Sequence, residues 1–318
     1  MRVLVTGGGG FIGSHLVERL VMDGHEVSVL DNFATGRREN LLPVVDSVRV
    51  IEGDVQSYER AHTAVKGCDL VLHQAALPSV PRSTQDPLTS NAVNVIGTLN
   101  ILLAARDSGV QRVIFASSSS VYGASMQLPK QEGMAPGPMS PYAVAKLAGE
   151  GYCRSFHSVY GLETVSLRYF NVFGPRQDPL SQYAAVIPNF IACFLEGRPP
   201  VVFGDGTQSR DFTYVDNVVD ANLRAMQAPV TGGSVFNAAG GERISLLDLL
   251  RGLRELTGRD LEARYEAPRL GDVPHSQADI SQARELLGYR PTVSFMEGLR
   301  RTFEFFGGKR DSSGSRAA

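Results

Sequence analysis

The chain has 318 residues, with 31 Lys and Arg against 33 Asp and Glu, so its formal charge at pH 7 is −2. Hydrophobic residues make up 43%, as in a soluble globular protein, and the near-neutral charge argues against nucleic acid or an anionic membrane as the main partner. No apolar stretch approaches the roughly 20 residues that span a bilayer, and no signal-peptide pattern opens the chain. Three widely spaced cysteines predict neither disulfides nor a metal site. We therefore expect a cytoplasmic protein.

Short β-rich runs alternate with helical stretches over the first half of the chain. The predicted strands are 3–5, 26–30, 47–51, 69–73, 112–117 and 163–168. The predicted helices are 13–22, 91–106 and 142–159. Strands separated by helices of this length imply βαβ units, and unbroken apolar runs such as VLVT and VIFAS are typical of buried parallel strands. We therefore expect an α/β fold, a Rossmann-type doubly wound parallel sheet.

After about residue 175 prolines and glycines become frequent and the apparent strands become shorter. Helices are predicted over 245–257, 281–287 and 294–306. We expect a Rossmann domain over 1–174, a smaller α/β substrate domain over 175–306, and a flexible polar tail over 307–318. Part of 211–240 is expected to return to the first domain, with 235–239 as a further strand of its sheet.

A glycine-rich turn follows the first strand directly and opens the first helix. Gly7, Gly10 and Gly13 permit a tight turn, close approach of the backbone to a pyrophosphate, and close packing of helix on strand. Asp31 lies 18 residues past Gly13, where a carboxylate accepts from ribose hydroxyls and repels a 2′-phosphate. The pattern predicts NAD rather than NADP. Arg37 and Arg38, which begin six residues beyond Asp31, are interpreted as solvated. An ordinary turn and a loop cap are the alternatives.

A second pattern has the chemistry of an acid–base pair. Tyr142 and Lys146 stand four residues apart at the start of a predicted helix, so both side chains lie on one face. A nearby ammonium lowers the pKa of a phenol from about 10, which would make Tyr142 a base near neutral pH. Ser118 ends a predicted strand, and its hydroxyl could reach the same substrate oxygen. The three residues together are far more specific than the Tyr-Lys pair, which is common by chance.

Several longer segments point to one family. They are TGGGGFIGSH, DNF, HQAA, NVIGT, SSSSVYG, SPYAVAK, LRYFNVFGPRQ, GDGTQSRDFTYVDN and NAAGG, and they extend from residue 3 to about residue 291. In these segments the sequence resembles the extended short-chain dehydrogenase/reductases, specifically the NAD-dependent nucleotide-sugar epimerases, closest to the UDP-N-acetylglucosamine and UDP-glucose 4-epimerases. The resemblance implies tightly held NAD, a UDP-sugar bound mainly by 175–306, and a homodimer.

The resemblance also assigns roles by position, with Ser118, Tyr142 and Lys146 as the catalytic residues. The NAD site would comprise Gly7, Gly10, Phe11, Ile12, Asp31, Asn32, Thr35, Gly36, Asp54, Val55, Ala75, Asn94, Tyr142, Lys146 and Phe170. The UDP-sugar site would comprise Ser79, Ser118, Ser119, Tyr142, Asn171, Ala185, Val186, Arg210, Arg269, Asp272 and Ser276. One departure is Pro78, which stands where many glucose-type epimerases carry a lysine near the cofactor phosphates.

The residues after Ser118 separate the reactions of this family. Ser119 and Ser120 stand where sugar 4,6-dehydratases carry an acidic pair and UDP-glucuronate decarboxylases a glutamate, so water elimination lacks its proton donor. The resemblance therefore implies a UDP-hexose 4-epimerase, which inverts C4 through a 4-keto intermediate without net oxidation. The alternatives are a UDP-glucuronate 4-epimerase or decarboxylase, and a non-catalytic NAD-binding sensor or scaffold on the same fold.

The residue at position 276 bears on the sugar. Ser276 lies four places after Asp272, where the family's residue borders the substituent on C2 of the sugar. An aromatic residue there, as in epimerases restricted to glucose and galactose, leaves little room, whereas serine implies that N-acetyl sugars are accepted too. The alternative is that Ser276 caps the helix predicted near 281 or lines a loop.

Overall fold

The computed structural model describes residues 1–178, 185–229, 232–268 and 274–314. The strands are β1 (Arg2–Thr6), β2 (Glu26–Asp31), β3 (Val48–Glu52), β4 (Leu70–His73), β5 (Arg112–Ser118), β6 (Glu163–Tyr169), β7 (Val172–Phe173), β8 (Val201–Phe203), β9 (Ser209–Arg210), β10 (Thr213–Tyr214), β11 (Ser234–Ala238), β12 (Ile244–Ser245) and β13 (Arg264–Glu266). The α-helices are α1 (Phe11–Met22), α2 (Tyr58–Val65), α3 (Val80–Gln85), α4 (Pro87–Asn91), α5 (Gly97–Asp107), α6 (Pro141–Tyr160), α7 (Val186–Glu196), α8 (Val215–Gln227), α9 (Leu246–Thr257), α10 (Ser281–Leu286) and α11 (Phe295–Gly314). Short 3₁₀ segments cover Arg38–Ser47 and Ser119–Tyr122, and a π-helical turn covers Ala92–Ile96.

Seven strands form one parallel sheet in the order β11-β6-β5-β4-β1-β2-β3. The chain winds outward from β1 to β3 and then crosses to β4 on the other side of β1. Strand order therefore reverses between β1 and β4, and a crevice opens beyond the carboxyl ends of these two strands. The doubly wound fold expected from the sequence is confirmed, and β11 pairs with β6, so the segment expected at 235–239 lies in the first sheet.

Helices cover both faces of this sheet because the side chains of a strand point alternately to its two sides. Val3 and Val5 of β1 pack in a core with residues of α1 and α8, whereas Leu4 packs in a second core with residues of α2, α5 and α6. A third core lies outside the sheet, where aromatic residues such as Phe173 and Phe212 pack with α7, α9 and α11. This third core belongs to the part of the chain in which a second, smaller domain is predicted.

Two helices differ from their predicted extents. The helical run Pro87–Asp107 has 21 residues and is apolar enough, by length and composition alone, to cross a membrane, so the expectation of no such stretch is wrong. Half of its most apolar window is buried inside the protein, as in the core helix of a globular fold. At the other end of the chain, α11 continues to Gly314 instead of ending at 306, because extending a formed helix adds one hydrogen bond per residue.

A buried hydrogen-bonded chain lies beneath the crevice and passes through a histidine. The N–H of Ala75 donates to Thr6 Oγ1 (3.2 Å), which lies 2.7 Å from Nδ1 of His73. Nε2 of His73 lies 3.0 Å from Thr98 Oγ1, and that hydroxyl donates its proton to the carbonyl of Asn94 (2.7 Å). Because the Thr98 proton is used, Nε2 of His73 must donate and Nδ1 must accept, which fixes one neutral tautomer.

The neutral state of His73 makes stability depend on pH. Burial, with a smaller contribution from the charge of Lys146, lowers the pKa of His73 to about 3. The unfolded-state pKa is about 6.5, so the stabilisation is complete above that pH and is lost as the pH falls toward 3. We expect the free energy of unfolding, measured by denaturant titration at about pH 7 and about pH 4, to fall less in His73→Gln than in the wild type. Equal falls in the two proteins would contradict this assignment.

Candidate active site

The turn between β1 and α1 forms a cradle at the crevice. Gly7 has a φ of +69°, and a Cβ there would lie 2.7 Å from the amide nitrogen of Ala75. A Cβ on Gly13 would lie 2.1 Å from the carbonyl oxygen of Gly7, so both positions require glycine. Gly10 is the N-cap residue of α1 and no side chain of the described residues caps it, which leaves the first N–H groups for a ligand. The cradle fits the pyrophosphate of a dinucleotide.

The carboxylate of Asp31 is fixed at the end of β2. It accepts the N–H groups of Gly9 (2.8 Å) and Phe33 (2.7 Å), one on each oxygen. Burial raises the pKa of Asp31, and these two hydrogen bonds oppose the rise. A carboxylate can accept about four hydrogen bonds, so Asp31 retains acceptor capacity for the hydroxyls of a ribose.

Arg37 and Arg38, beyond Asp31, are each paired with a carboxylate. The sequence alone had predicted that they are only solvated. Arg37 donates to Asp178 (2.9 Å), which lies in the segment after β7. Arg38 pairs with Glu52 at the end of β3 and stacks over the ring of Phe33, 4.2 Å from its centroid. With both guanidinium groups engaged, neither is poised for a 2′-phosphate, which agrees with the preference for NAD that Asp31 predicts.

Most other predicted cofactor residues gather at the same edge. Asn32 donates to the carboxylate of Asp54 (2.7 Å), which joins the loops after β2 and β3. A Cβ on Gly36 would lie 2.8 Å from the carbonyl carbon of Gly9, so this loop lies directly on the cradle. The remaining members follow the ends of strands or begin α1, and they are Phe11, Ile12, Thr35, Val55 and Ala75.

Two predicted cofactor residues have other uses in the fold. The side-chain amide of Asn94 accepts the N–H of Leu77 (2.8 Å) and donates to its carbonyl (3.1 Å), so it holds the segment after β4 in place. Phe170 is fully buried in the core and packs against Tyr122, with ring centroids 6.0 Å apart. The ring of Phe170 therefore packs in the core, and its assignment to the cofactor site stays a prediction.

The predicted catalytic residues meet where β5 ends and α6 begins. Ser140 caps α6 by accepting the N–H of Ala143 (3.2 Å), which places Tyr142 in the first turn. Ser118 at the end of β5 interacts with the Tyr142 phenol and opposes the rise of its pKa, while the Ser118 hydroxyl lies 2.8 Å from that of Ser120. Lys146, one turn further along α6, is buried and donates from Nζ to the carbonyl of Ala116 (2.7 Å). The trio inferred from spacing is thus assembled in space.

The electrostatics of this trio differ from the sequence prediction. Burial raises the pKa of Tyr142 to about 12, although the hydrogen bond with Ser118 opposes the rise. Burial also lowers the pKa of Lys146 to about 8, and its Nζ lies 5.8 Å from the centroid of the Tyr142 ring. The prediction that the ammonium brings the phenol near neutral pH is wrong for the protein by itself, because desolvation of the buried phenol dominates its pKa.

A cavity of about 570 Å³ lies in the second part of the chain, between β7, α7, β8 and β9. Such a volume suits a small molecule. The residues that line it are Asn171, Val172, Phe173, Ala185, Val186, Ile187, Asn189, Phe190, Arg198, Val201, Phe203, Gln208, Arg210, Phe212, Leu246, Arg264 and Glu266. The structure thus brings together four predicted substrate residues, namely Asn171, Ala185, Val186 and Arg210.

Two further arginines of this cavity were missed by sequence reasoning. Arg198 follows α7 and pairs with Glu196, and Arg264 lies in β13 and pairs with Glu266 (2.8 Å). With Arg210 they place three arginines around one cavity that has both polar and apolar lining residues, a combination that suits a nucleoside diphosphate. Neither belongs to a motif, and Arg264 reaches the cavity through the pairing of β13 with β8, so no local signal identifies them.

The serines predicted for the sugar end of the site are placed separately. Ser79 has a φ of +119° and caps α3 by accepting the N–H of Arg82 (3.2 Å). Ser119 begins the 3₁₀ turn directly after Ser118. Their hydroxyls lie near the ends of β4 and β5, on the same edge as the catalytic trio.

Ser276 lies beside β9, which borders the cavity described above. Its N–H donates to the carbonyl of Ser209 (3.0 Å), which places it beside Arg210 on β9. The N-cap residue of α10 is Ile280, so the alternative that Ser276 caps this helix is wrong. The predicted substrate residues Arg269 and Asp272 lie outside the described residues.

Comparisons with known proteins agree with this geometry. Residues 3–239 match the model of the NAD-dependent epimerase/dehydratase family. The UDP-glucose 4-epimerase of Mycolicibacterium smegmatis is 41% identical over 313 residues, 97% of this chain and 99% of that protein. The structure of UDP-N-acetylglucosamine 4-epimerase from Methanobrevibacter ruminantium, in complex with UDP-N-acetylmuramic acid, has a TM-score of 0.93 at 41% identity, covering 97% and 98% of the two chains. UDP-glucose 4-epimerase of Thermus thermophilus, solved with NAD, has a TM-score of 0.89 at 39% identity, covering 97% and 99%.

The position of Asp31 leads to a test of cofactor choice. We expect the wild type to bind NAD at least about tenfold more tightly than NADP, because the fixed carboxylate repels a 2′-phosphate. Fluorescence titration of the nucleotide-free protein measures both affinities. Asp31→Ser removes the charge and should narrow the ratio of the two affinities, whereas Asp46→Ser, which removes an exposed carboxylate outside the cofactor site, serves as the matched control. Equal affinities in the wild type would refute the role of Asp31.

Proposed function

The chain belongs to the NAD-dependent epimerase/dehydratase family, and we propose that it is a UDP-hexose 4-epimerase. It inverts C4 of the sugar through a 4-keto intermediate without net oxidation. The observation that carries the proposal is the meeting of Ser118, Tyr142 and Lys146 at the sheet edge that also holds the glycine cradle. Relatives that align along nearly the whole chain are named as 4-epimerases, which supports the same reaction.

In this mechanism Tyr142 moves the proton of the C4 hydroxyl. Its phenolic oxygen takes the proton as C4 is oxidised and returns it as C4 is reduced, while Ser118 donates a hydrogen bond to the same substrate oxygen. Lys146 keeps a positive charge in the site at neutral pH, since its pKa is about 8. NAD, held by the cradle and Asp31, supplies the hydride acceptor and a positive charge that favours the phenolate. The chain itself supplies orientation and proton transfer.

Nucleotide binding is proposed for the cavity beside α7. The guanidinium groups of Arg198, Arg210 and Arg264 would bind the diphosphate, and Asn171 would orient it. Phe203 offers an apolar face to the base. The resemblance adds Arg269 and Asp272 to this site. Firm binding of the nucleotide, away from Tyr142, leaves the sugar free to turn and present its other face during the reaction.

The sugar is proposed to be either acetylated or unacetylated at C2. Ser276 lies beside β9, and its small side chain leaves room for an N-acetyl group. We therefore infer that UDP-N-acetylglucosamine and UDP-N-acetylgalactosamine are interconverted, as well as UDP-glucose and UDP-galactose. The activity in the name of the Methanobrevibacter relative supports the acetylated pair.

The alternative reactions fit the site less well. The turn after Ser118 carries hydroxyls at Ser119 and Ser120, where dehydration or decarboxylation in this family calls for a carboxylate. A UDP-glucuronate 4-epimerase would use the same cofactor and the same catalytic residues, and only its substrate would distinguish it. A non-catalytic sensor would have no use for the buried Lys146 beside Tyr142.

We also propose a homodimer in the cytoplasm. Leu88 of α4, Ile96 of the π-helical turn and Val144 of α6 are exposed, at 82%, 44% and 53%, although they are apolar. The three segments are neighbours in the fold, so a second copy could cover these side chains. All three cysteines are free and buried, which suits a reducing compartment.

The reaction is tested by replacing the proposed base. We expect purified wild-type protein to interconvert UDP-hexoses epimeric at C4, and Tyr142→Phe to lower kcat by about 100-fold or more while NAD binding is kept. Only the phenolic oxygen is removed. Tyr160→Phe, at the far end of the same helix, is the matched control and should retain activity. Full activity of Tyr142→Phe would rule out the proposed mechanism.

The substrate range is tested at Ser276. We expect Ser276→Tyr to lower kcat/KM for the N-acetyl pair by about tenfold or more and to leave the unacetylated pair nearly unchanged, because the ring fills the space beside C2. Ser276→Ala should keep both activities. If the wild type ignores N-acetyl sugars, or Ser276→Tyr loses both activities alike, the steric argument is wrong.

A further inference from the structure

Three side chains at successive turns of α6 face the end of β5. They are Tyr142, Lys146 and Glu150, which are spaced four residues apart and therefore lie in one stripe along the helix. The first interacts with Ser118, and the second donates a hydrogen bond to the carbonyl of Ala116 (2.7 Å). The third, Glu150, contacts the residue between these two, although neither the sequence motifs nor the proposed mechanism gives it a role.

Glu150 is at the centre of a buried network. Its carboxylate accepts the hydroxyl of Ser117 (2.5 Å) and two hydrogen bonds from Arg168, one from Nε (2.9 Å) and one from Nη2 (2.8 Å). The side chains of Glu150 and Arg168 are only 2% and 4% exposed. Arg168 lies directly opposite Ser117 in the pairing of β5 with β6. The network therefore joins one helix to two strands at a single level.

The network lies at the carboxyl end of β5, next to Ser118, which is one of the predicted catalytic residues. Ser117 immediately precedes Ser118, so any shift of the Ser117 backbone moves the Ser118 hydroxyl, which interacts with Tyr142. Glu150 lies two helical turns from Tyr142 on the same helix. Its hydrogen bond with Ser117 therefore fixes the position of α6 along β5. A buried ion pair is weak evidence for stability, because well-packed apolar residues are often at least as stable in its place. Its geometry, in contrast, fixes distances between the elements that it joins.

We propose that Glu150, with Arg168 and Ser117, positions Ser118 against Tyr142 for catalysis. The inference rests on the proposed function, because it concerns proton transfer by the same pair. It assigns no contact with substrate to Glu150. The network acts through the end of β5: it holds the Ser118 hydroxyl in the hydrogen bond that stabilises the phenolate of Tyr142.

The test uses Ser117→Ala, which breaks the link without leaving a buried charge, and Glu150→Gln as a second variant. The matched control is Thr164→Val, because the Thr164 hydroxyl makes a comparable buried bond from β6 to the Cys153 carbonyl on α6 (2.8 Å), away from Ser118. We expect kcat to fall at least about tenfold in Ser117→Ala, with KM and NAD binding nearly unchanged, and no such fall in Thr164→Val. The rise of kcat with pH should move to higher pH, since the phenolate loses a hydrogen bond.

A readout independent of activity separates this inference from the proposed function. Fluorotyrosine incorporated at position 142 reports its surroundings by fluorine NMR. Its resonance should move in Ser117→Ala and Glu150→Gln and stay in place in Thr164→Val. Lack of epimerase activity in the wild type would refute the proposed function but leave this result to decide the positioning role. An unmoved resonance, or equal losses of kcat in Ser117→Ala and Thr164→Val, would overturn the inference.

Discussion

The parallel arrangement of the seven-stranded sheet is the constraint on which the rest of the site depends. Parallel strands direct all their carboxyl ends to one edge, and the reversal of strand order between β1 and β4 opens a crevice there. Gly7, Asp31 and Ser118 are far apart in sequence, yet each follows or ends a strand at this edge. The topology of the sheet therefore brings together residues that lie far apart in the sequence.

Burial at that edge decides the chemistry as much as residue type does. Tyr142 and Lys146 each lose hydration, which favours their neutral forms and moves their pKa values apart, to about 12 for the phenol and about 8 for the ammonium. The phenol becomes a useful base only when more positive charge enters the site, and the family's cofactor carries that charge. The arginines of the cavity that we propose for the nucleotide lie in the other part of the chain, so the proposed nucleotide binding and proton transfer depend on different elements.

The sequence by itself determined the fold class, and it predicted the glycine cradle and the trio that we propose as catalytic. Glycine at positions 7 and 13 reflects steric limits of the backbone, which are local and appear as a motif. The four-residue spacing of Tyr142 and Lys146 follows from the helix repeat alone. Both kinds of signal lie within a few residues of chain, so they could be read without knowing how distant segments pack.

Only the tertiary structure decided the features that depend on distant segments. Arg264 reaches the cavity through the pairing of β13 with β8, Arg198 reaches it from the segment after α7, and the ring of Phe170 packs in the core. The contact of Glu150 with β5 and the raised pKa of Tyr142 likewise depend on how deeply α6 is buried. Desolvation and strand pairing depend on contacts between segments that are distant in the sequence, and for that physical reason no local pattern in the sequence predicts them.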